Sequence, residues 1–314
     1  MRIKNNVGSR KSNVREVKSK YLLFFEGEKT EEIYFTELIS HNGSLITNIY
    51  YYLRDDDKKG WSNPEKMLEL IEPIVEKKEN AQFTYETAEE TIVEYISNNI
   101  TSISTNNIKE AYNDSLSEIQ VNLKDKLDVN TFEEVIKITI KKLENKYSIV
   151  RGDVDLKYLI KYITEATTYD PEVDKIYLIV DRDKKSFTQK QYKNVLSKTK
   201  QYNIDLIVTN PCFEFWLLLH FDDCLKIDKG LLLSNDKTST GNTFVFDKLR
   251  EYDSNYMKNN FDKKMYFEKS DTAINNSKQY QNDVEKLINE VGTNIVPLIQ
   301  MILDKSEWQN KIIN

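Results

Sequence analysis

Tyr21-Leu22-Leu23-Phe24-Phe25, followed at once by Glu26-Gly27-Glu28-Lys29-Thr30, is an apolar run that ends on a carboxylate. It has a counterpart far along the chain, where Ile176-Tyr177-Leu178-Ile179-Val180 runs into Asp181-Arg182-Asp183. Both runs are short, continuous and bounded by polar turn residues, the pattern of strands buried on both faces. In open α/β sheets, ligands bind beyond the carboxyl ends of such strands. Three carboxylates delivered to that edge by two strands would suit a hard cation with oxygen ligands.

Outward from the first run, Thr30 reads as the N-cap of a helix whose apolar positions are Ile33, Tyr34, Leu38 and Ile39. Asn48–Leu53 reads as a second strand ending in the charged turn Arg54–Gly60, and Pro64–Lys78 as a second helix. Strand, helix, strand, helix predicts a parallel sheet. From about 81 to 168 the chain becomes polar and helical in period, with stripes at Tyr85, Ala88, Ile92 and Ile96, then Phe132, Val135, Ile136, Ile140 and Leu143. This segment holds ten basic and fifteen acidic residues and reads as a helical insertion, a poor nucleic-acid clamp. The sheet resumes at Lys175–Val180, then come a helix with Tyr192, Val195 and Leu196, a strand at Ile204–Val208, and a nearly all-apolar helix at Phe213–Phe221. Two late helices are expected at Asp271–Asn289 and Asn294–Leu303. The predicted organisation is a basic arm (1–19), a first sheet portion (20–80), the insertion (81–168) and a second sheet portion with C-terminal helices (169–314).

The 314 residues carry a net charge of −6, which argues against indiscriminate binding of nucleic acid. The charge is uneven: residues 1–20 hold seven Lys or Arg against Glu16. That arm either tracks a phosphate backbone or is a solvated, disordered leader. No apolar run is long enough to span a membrane and no signal-peptide pattern opens the sequence, so a cytoplasmic protein is expected. Two cysteines, Cys212 and Cys224, make no disulfide framework. With only two histidines besides, there is no credible zinc ligand set, and no Gly-rich Walker loop is present.

Asp181 and Asp183 are two apart, so on an extended strand end they would project to one side and share one ion. The alternative is a solvated acidic turn. Glu26 would bind a metal or shuttle a proton; Glu28, two residues on, would serve as well, unless both are first-turn acids complementing the helix dipole. Gly27 would permit a tight turn, and Lys29 would offer positive potential to a phosphate. Glu214 lies in the first turn of an almost wholly apolar helix, where a carboxylate is costly unless paired or metal-bound. His220, six residues on, faces elsewhere and is either a satisfied structural histidine or a contact to the scissile phosphate or proton donor. Asp55, Asp56 and Asp57 read as a solvated turn.

At FFEGEKTEEIYF (24–35), IVDRD (179–183) and TNPCFEFWLLLHF (209–221) the sequence resembles the RloB-like family, a branch of the Toprim fold. Weaker similarity lies in AINNSKQY (273–280) and GTNIVPLIQMIL (292–303). The resemblance implies an α/β fold, a Toprim-like parallel sheet flanked by helices with a helical insertion. It implies phosphodiester chemistry dependent on Mg²⁺ or Mn²⁺, in proteins commonly encoded beside an ABC- or AAA-type ATPase in phage-defence and abortive-infection loci. By motif, Glu26 is the Toprim glutamate and Asp181 and Asp183 the Asp-x-Asp pair, while Glu214 and His220 lie in the family's signature helix.

The expected function is a metal-dependent nuclease acting on DNA or RNA, tRNA included, as antiviral effector. The expected catalytic residues are Glu26, Asp181, Asp183 and His220; the metal ligands Glu26, Asp181, Asp183 and Glu214; the phosphate contacts Lys29 and Arg182. The rivals are a non-catalytic nucleic-acid-binding or adaptor subunit of an ATPase complex, and strand transfer or polymerisation on the same metal core. Homo-oligomerisation is open.

Overall fold

The structure, a computed structural model, describes residues 19–27, 29–41, 46–51, 64–76, 84–100, 102–147, 160, 163–164 and 169–303. Residues 1–18 of the basic arm, Glu28 and Asp55–Asp57 lie outside them. Four strands are parallel: β1 (Lys20–Phe25), β2 (Ile46–Tyr51), β3 (Lys175–Asp181) and β4 (Asp205–Asn210). A two-residue β5 (Gly292–Thr293) joins β4 antiparallel, giving the order β2-β1-β3-β4-β5. The first acidic run and the second are therefore adjacent: β1 pairs with β3, Phe25 opposite Ile179.

Strand alternation sorts the side chains into two cores. Leu22, Phe24, Ile176, Leu178, Val180, Leu206 and Val208 point to one face. There they meet α2 (Pro64–Val75), α3 (Tyr85–Asn99), α4 (Thr105–Ile119), α5 (Val129–Tyr147) and α6 (Gln189–Gln201) in one continuous cluster. Leu23, Phe25, Tyr177, Ile179 and Ile207 point to the other. That face is covered by α1 (Thr30–Ser40), α7 (Phe213–Leu218), α8 (Lys229–Ser234), α9 (Phe244–Tyr252), α10 (Lys263–Glu268), α11 (Ser270–Ser277) and α12 (Val296–Leu303). The described part of residues 84–147 is helical apart from its turns and a bridge between Thr84 and Lys126. Its stripes of Ile, Val and Phe are buried in the same core as the sheet face.

Three local expectations change. The late helix stops at Ser277, and residues 278–291 run instead as turns that bring Leu287 and Ile288 against the first face. The apolar helix at 213 ends at Leu218. The N-cap of α1 is Lys29, without a side-chain cap, and the Thr30 hydroxyl in the first helical position donates to the Lys258 carbonyl (2.9 Å).

The free edge of β4 is closed from the C-terminal side. Asn294 accepts from Val208 N through Oδ1 (2.7 Å) and donates from Nδ2 to Leu206 O (2.8 Å), standing in for a neighbouring strand. Gly292 lies so close to Gln281 that a Cβ there would sit 1.9 Å from its carbonyl oxygen, so only glycine permits this approach.

Candidate active site

Glu26 follows β1 directly, with its N–H on Ile179 O (3.3 Å), so the β1–β3 ladder carries it to the sheet's carboxyl edge. Asp181 is the last residue of β3. Glu214 enters the first turn of α7, just beyond β4. Three adjacent parallel strands thus deliver three carboxylates to one edge. With Gly27, Lys29, Thr30, Glu31, Phe213 and Lys258 they line a cavity of about 250 Å³.

The Asp181 carboxylate accepts a hydrogen bond from Phe213 N (2.8 Å), one of the amide donors that the start of a helix leaves open. Part of Asp181 stays accessible through the cavity, yet burial pushes its carboxyl well above the usual range, and repulsion from Glu31, Glu26 and Glu214 adds to this. Burial would raise Glu214 too, but the Lys258 ammonium at 2.8 Å holds its carboxyl below the usual range. Glu214 also has the Cys212 thiol as a hydrogen-bond partner. Lys258 sits at the tip of a tight hairpin closed by reciprocal Met257–Asn260 bonds (3.0 and 2.9 Å). The Thr30 hydroxyl fixes that hairpin to the start of α1.

Glu31 and Lys258 were not among the expected residues. Glu31 is buried in the first turn of α1 beneath Gly27, where an added Cβ would lie 2.4 Å from its Oε2. The glycine therefore makes room for a carboxylate, besides allowing a turn. The sequence signal was available, since Glu31 is four residues from Gly27 on a helix start. Lys258 carries no such signal: it comes from a loop 44 residues after Glu214.

Three expected residues are placed elsewhere. Asp183 does not line the cavity. β3 ends at Asp181, so the two-residue alternation that would align the pair stops; Asp183 Oδ1 then accepts from Lys185 N (2.9 Å) and Oδ2 from Ser186 Oγ (3.1 Å), an Asx-type turn. Arg182 turns into the core, 1% exposed, with Nε on Ile288 O (3.1 Å), Nη1 on Phe187 O, and its guanidinium over the Tyr192 ring. It is a core strut and not a phosphate contact. Arg182→Gln should lower stability by about 2–4 kcal/mol, by orphaning those carbonyls. Urea denaturation of the variant beside the parent checks this.

His220 lies beyond the end of α7 and does not line the cavity. Its Nδ1 donates to Trp216 O and Leu217 O (3.1 Å each), and Nε2 faces the Tyr34 hydroxyl at 3.3 Å. The rings of Tyr34, Trp216 and Tyr266 surround it edge-on. Burial pushes its pKa down to about 3, so it is neutral at physiological pH, fully partnered and no proton donor. The structural alternative for His220 is the one the geometry supports.

A family model for RloB-like proteins matches residues 21–302. The chain belongs to the RloB-like family. No curated protein and no solved structure matches this RloB-like chain. Among the described residues, no helix is long and apolar enough to cross a membrane.

Proposed function

We propose that this RloB-like chain is a nuclease of Toprim type, hydrolysing phosphodiester bonds with Mg²⁺ or Mn²⁺ held among Glu26, Asp181 and Glu214. The observation that carries this reading is the meeting of carboxylates from three adjacent strand ends, joined by Glu31, in one cavity that also holds two lysines. Repulsion of this kind, adding to the burial that raises Asp181, is what a bound divalent cation relieves.

The donor set is one of oxygens throughout. Among the described residues no three carboxylates converge tightly enough to cage an ion. Mg²⁺ dehydrates reluctantly, keeps several waters and needs only one or two protein carboxylates, so an open set of this kind fits it. Asp181 and Glu26 would hold the cation, with Glu214 joining them once released from Lys258. When bound, the cation supplies polarisation of a phosphoryl oxygen and a lowered pKa for water. Glu26 would otherwise take a proton from the attacking water. Lys258, with Lys29 at the exposed start of α1, would neutralise charge building on the phosphate, the task expected of Arg182. In the cell the chain would act in the cytoplasm as the effector of an antiviral system, alongside an ABC- or AAA-type ATPase.

A cleavage assay on plasmid, single-stranded DNA and total tRNA, with Mg²⁺ or Mn²⁺ and with and without the neighbouring ATPase, tests the reading. Glu26→Gln should lose about 10²–10³-fold in rate. Equal cleavage in EDTA, or by the variant, would overturn it. Nucleic-acid or ATPase binding without cleavage in any combination would point to the adaptor role.

A further inference from the structure

Residues 184–204 contain six lysines and no aspartate or glutamate, in a chain of net charge −6. The six fall into two sets. At the far end of α6, Lys198 pairs with Glu72 (2.5 Å) and Lys200 with Glu285 (2.6 Å). At the near end, Lys184, Lys190 and Lys193 are exposed and make no ion pair among the described residues. Lys185 reaches only Asp236, at 3.7 Å, with both side chains about three-quarters exposed.

The near set lies at the edge where the carboxylates gather. β3 ends at Asp181; residues 182–188 turn across the carboxyl edge of the sheet, and α6 starts from the Thr188 cap. Lys184 is three residues past Asp181, Lys190 is in the first turn of α6, and Lys193 is one turn further. Lys29 and Lys258 line the cavity itself. The nearby acids Asp183, whose oxygens accept within its own turn, and Glu65, which accepts from Asn194 (2.7 Å), keep their charge and offset part of the row. Neither forms an ion pair with Lys184, Lys190 or Lys193 among the described residues. Lysine in the first turn also opposes the helix dipole, so Lys190 costs α6 stability where the paired lysines of its last turn add to it. A carboxylate-lined cavity alone repels a polyanion; a strand of phosphates needs neutralisation beside it.

We infer that Lys184, Lys190 and Lys193 form the track that holds the phosphate backbone of a single-stranded stretch of nucleic acid as it approaches Asp181. This rests on the nuclease reading for its substrate class and names the surface that reading lacks. Non-specific binding to single strands has a salt slope of about −0.7 per neutralised phosphate, so removing three contacts should flatten it by about 2.

Fluorescence anisotropy on labelled single-stranded RNA and DNA, in EDTA across a KCl series, reads this directly. Lys184→Ala/Lys190→Ala/Lys193→Ala should weaken binding about tenfold at low salt and flatten the slope, with the melting temperature equal to the parent's or slightly higher. Lys109→Ala/Lys124→Ala/Lys141→Ala, exposed lysines of the α4–α5 region, should bind as the parent does. Comparison of the RNA and DNA arms tells which strand the track prefers. Equal loss in both triple variants, no loss in the first, or no binding by the parent chain would overturn the inference. The two readings fail separately: metal-dependent cleavage with binding indifferent to the track sinks only the track. Track-dependent binding without cleavage sinks only the nuclease.

Discussion

Asp181→Asn is expected to yield a chain that melts higher and no longer cleaves. The asparagine keeps the acceptor for Phe213 N and removes a charge that Glu31, Glu26 and Glu214 all repel. Relief of that strain should be worth about 1 kcal/mol, roughly 2 °C in a chain of this size. The sign in pH follows from the raised carboxyl. Folded Asp181 holds its proton to higher pH than the unfolded chain does, so stability falls as pH rises from the ordinary carboxylate range through the raised value. The variant lacks that fall, and its advantage should grow toward neutral pH. Mg²⁺ at 100 times its dissociation constant should stabilise the parent by about 2.7 kcal/mol and the variant far less. Cleavage should drop about 10³-fold or more, the scale of losing a preorganised electrostatic contact. Scanning calorimetry at pH 5 and pH 8, with and without Mg²⁺, checks the stability side. A variant that melts lower than the parent at both pH values would show that the carboxylates are not under like-charge load.

Lys258→Met should weaken both the fold and the carboxylate cluster. Its ammonium is the partner of a carboxylate only 4% exposed as a residue, and it lowers Asp181 as well. Breaking a fully buried pair costs about 3–5 kcal/mol, but the Lys258 side chain is 66% exposed, so about 1–2 kcal/mol is expected here. Glu214, now held down by Lys258, should titrate higher in the variant, moving the acid limb of the pH–rate profile upward. Lys258→Met/Glu214→Gln should regain most of the lost stability, since no orphan charge is left, yet none of the lost rate. Urea melts of the two single variants and the double one form a cycle; strict additivity of the two losses would refute the pairing.

The sheet was legible because its strands are buried on both sides and so read as unbroken apolar runs, from Tyr21–Phe25 and Ile176–Val180 outward. Glu26, Asp181 and Glu214 were legible for the same reason, being the first carboxylates after such runs or in an apolar helix start. Asp183 was not legible because the ladder ends at Asp181 and the strand alternation stops there, and Arg182 because its core partners come from distant sequence. Nothing local announces that end; it is set by the Asx-type turn and by the room that Phe187, Tyr192 and Ile288 leave for a guanidinium. His220 was left between two readings that only its neighbours could separate. Lys258 was invisible, since its place depends on a hairpin docked through Thr30. The lysine row was readable as composition, but only the pairing of its far half with Glu72 and Glu285 shows which half is uncompensated. The antiparallel β5 is too short to leave a pattern.

Asn294 and Gly292 have a wider bearing. A parallel sheet is prone to grow sideways by recruiting another chain onto an unpaired rim. Here one amide side chain fills the rim of β4 at Leu206 and Val208, and the Gly292–Gln281 approach clasps the segment that carries it. The Gly292–Asn294 segment thus acts as a bung against self-polymerisation along this rim, with one side chain continuing what the two residues of β5 begin.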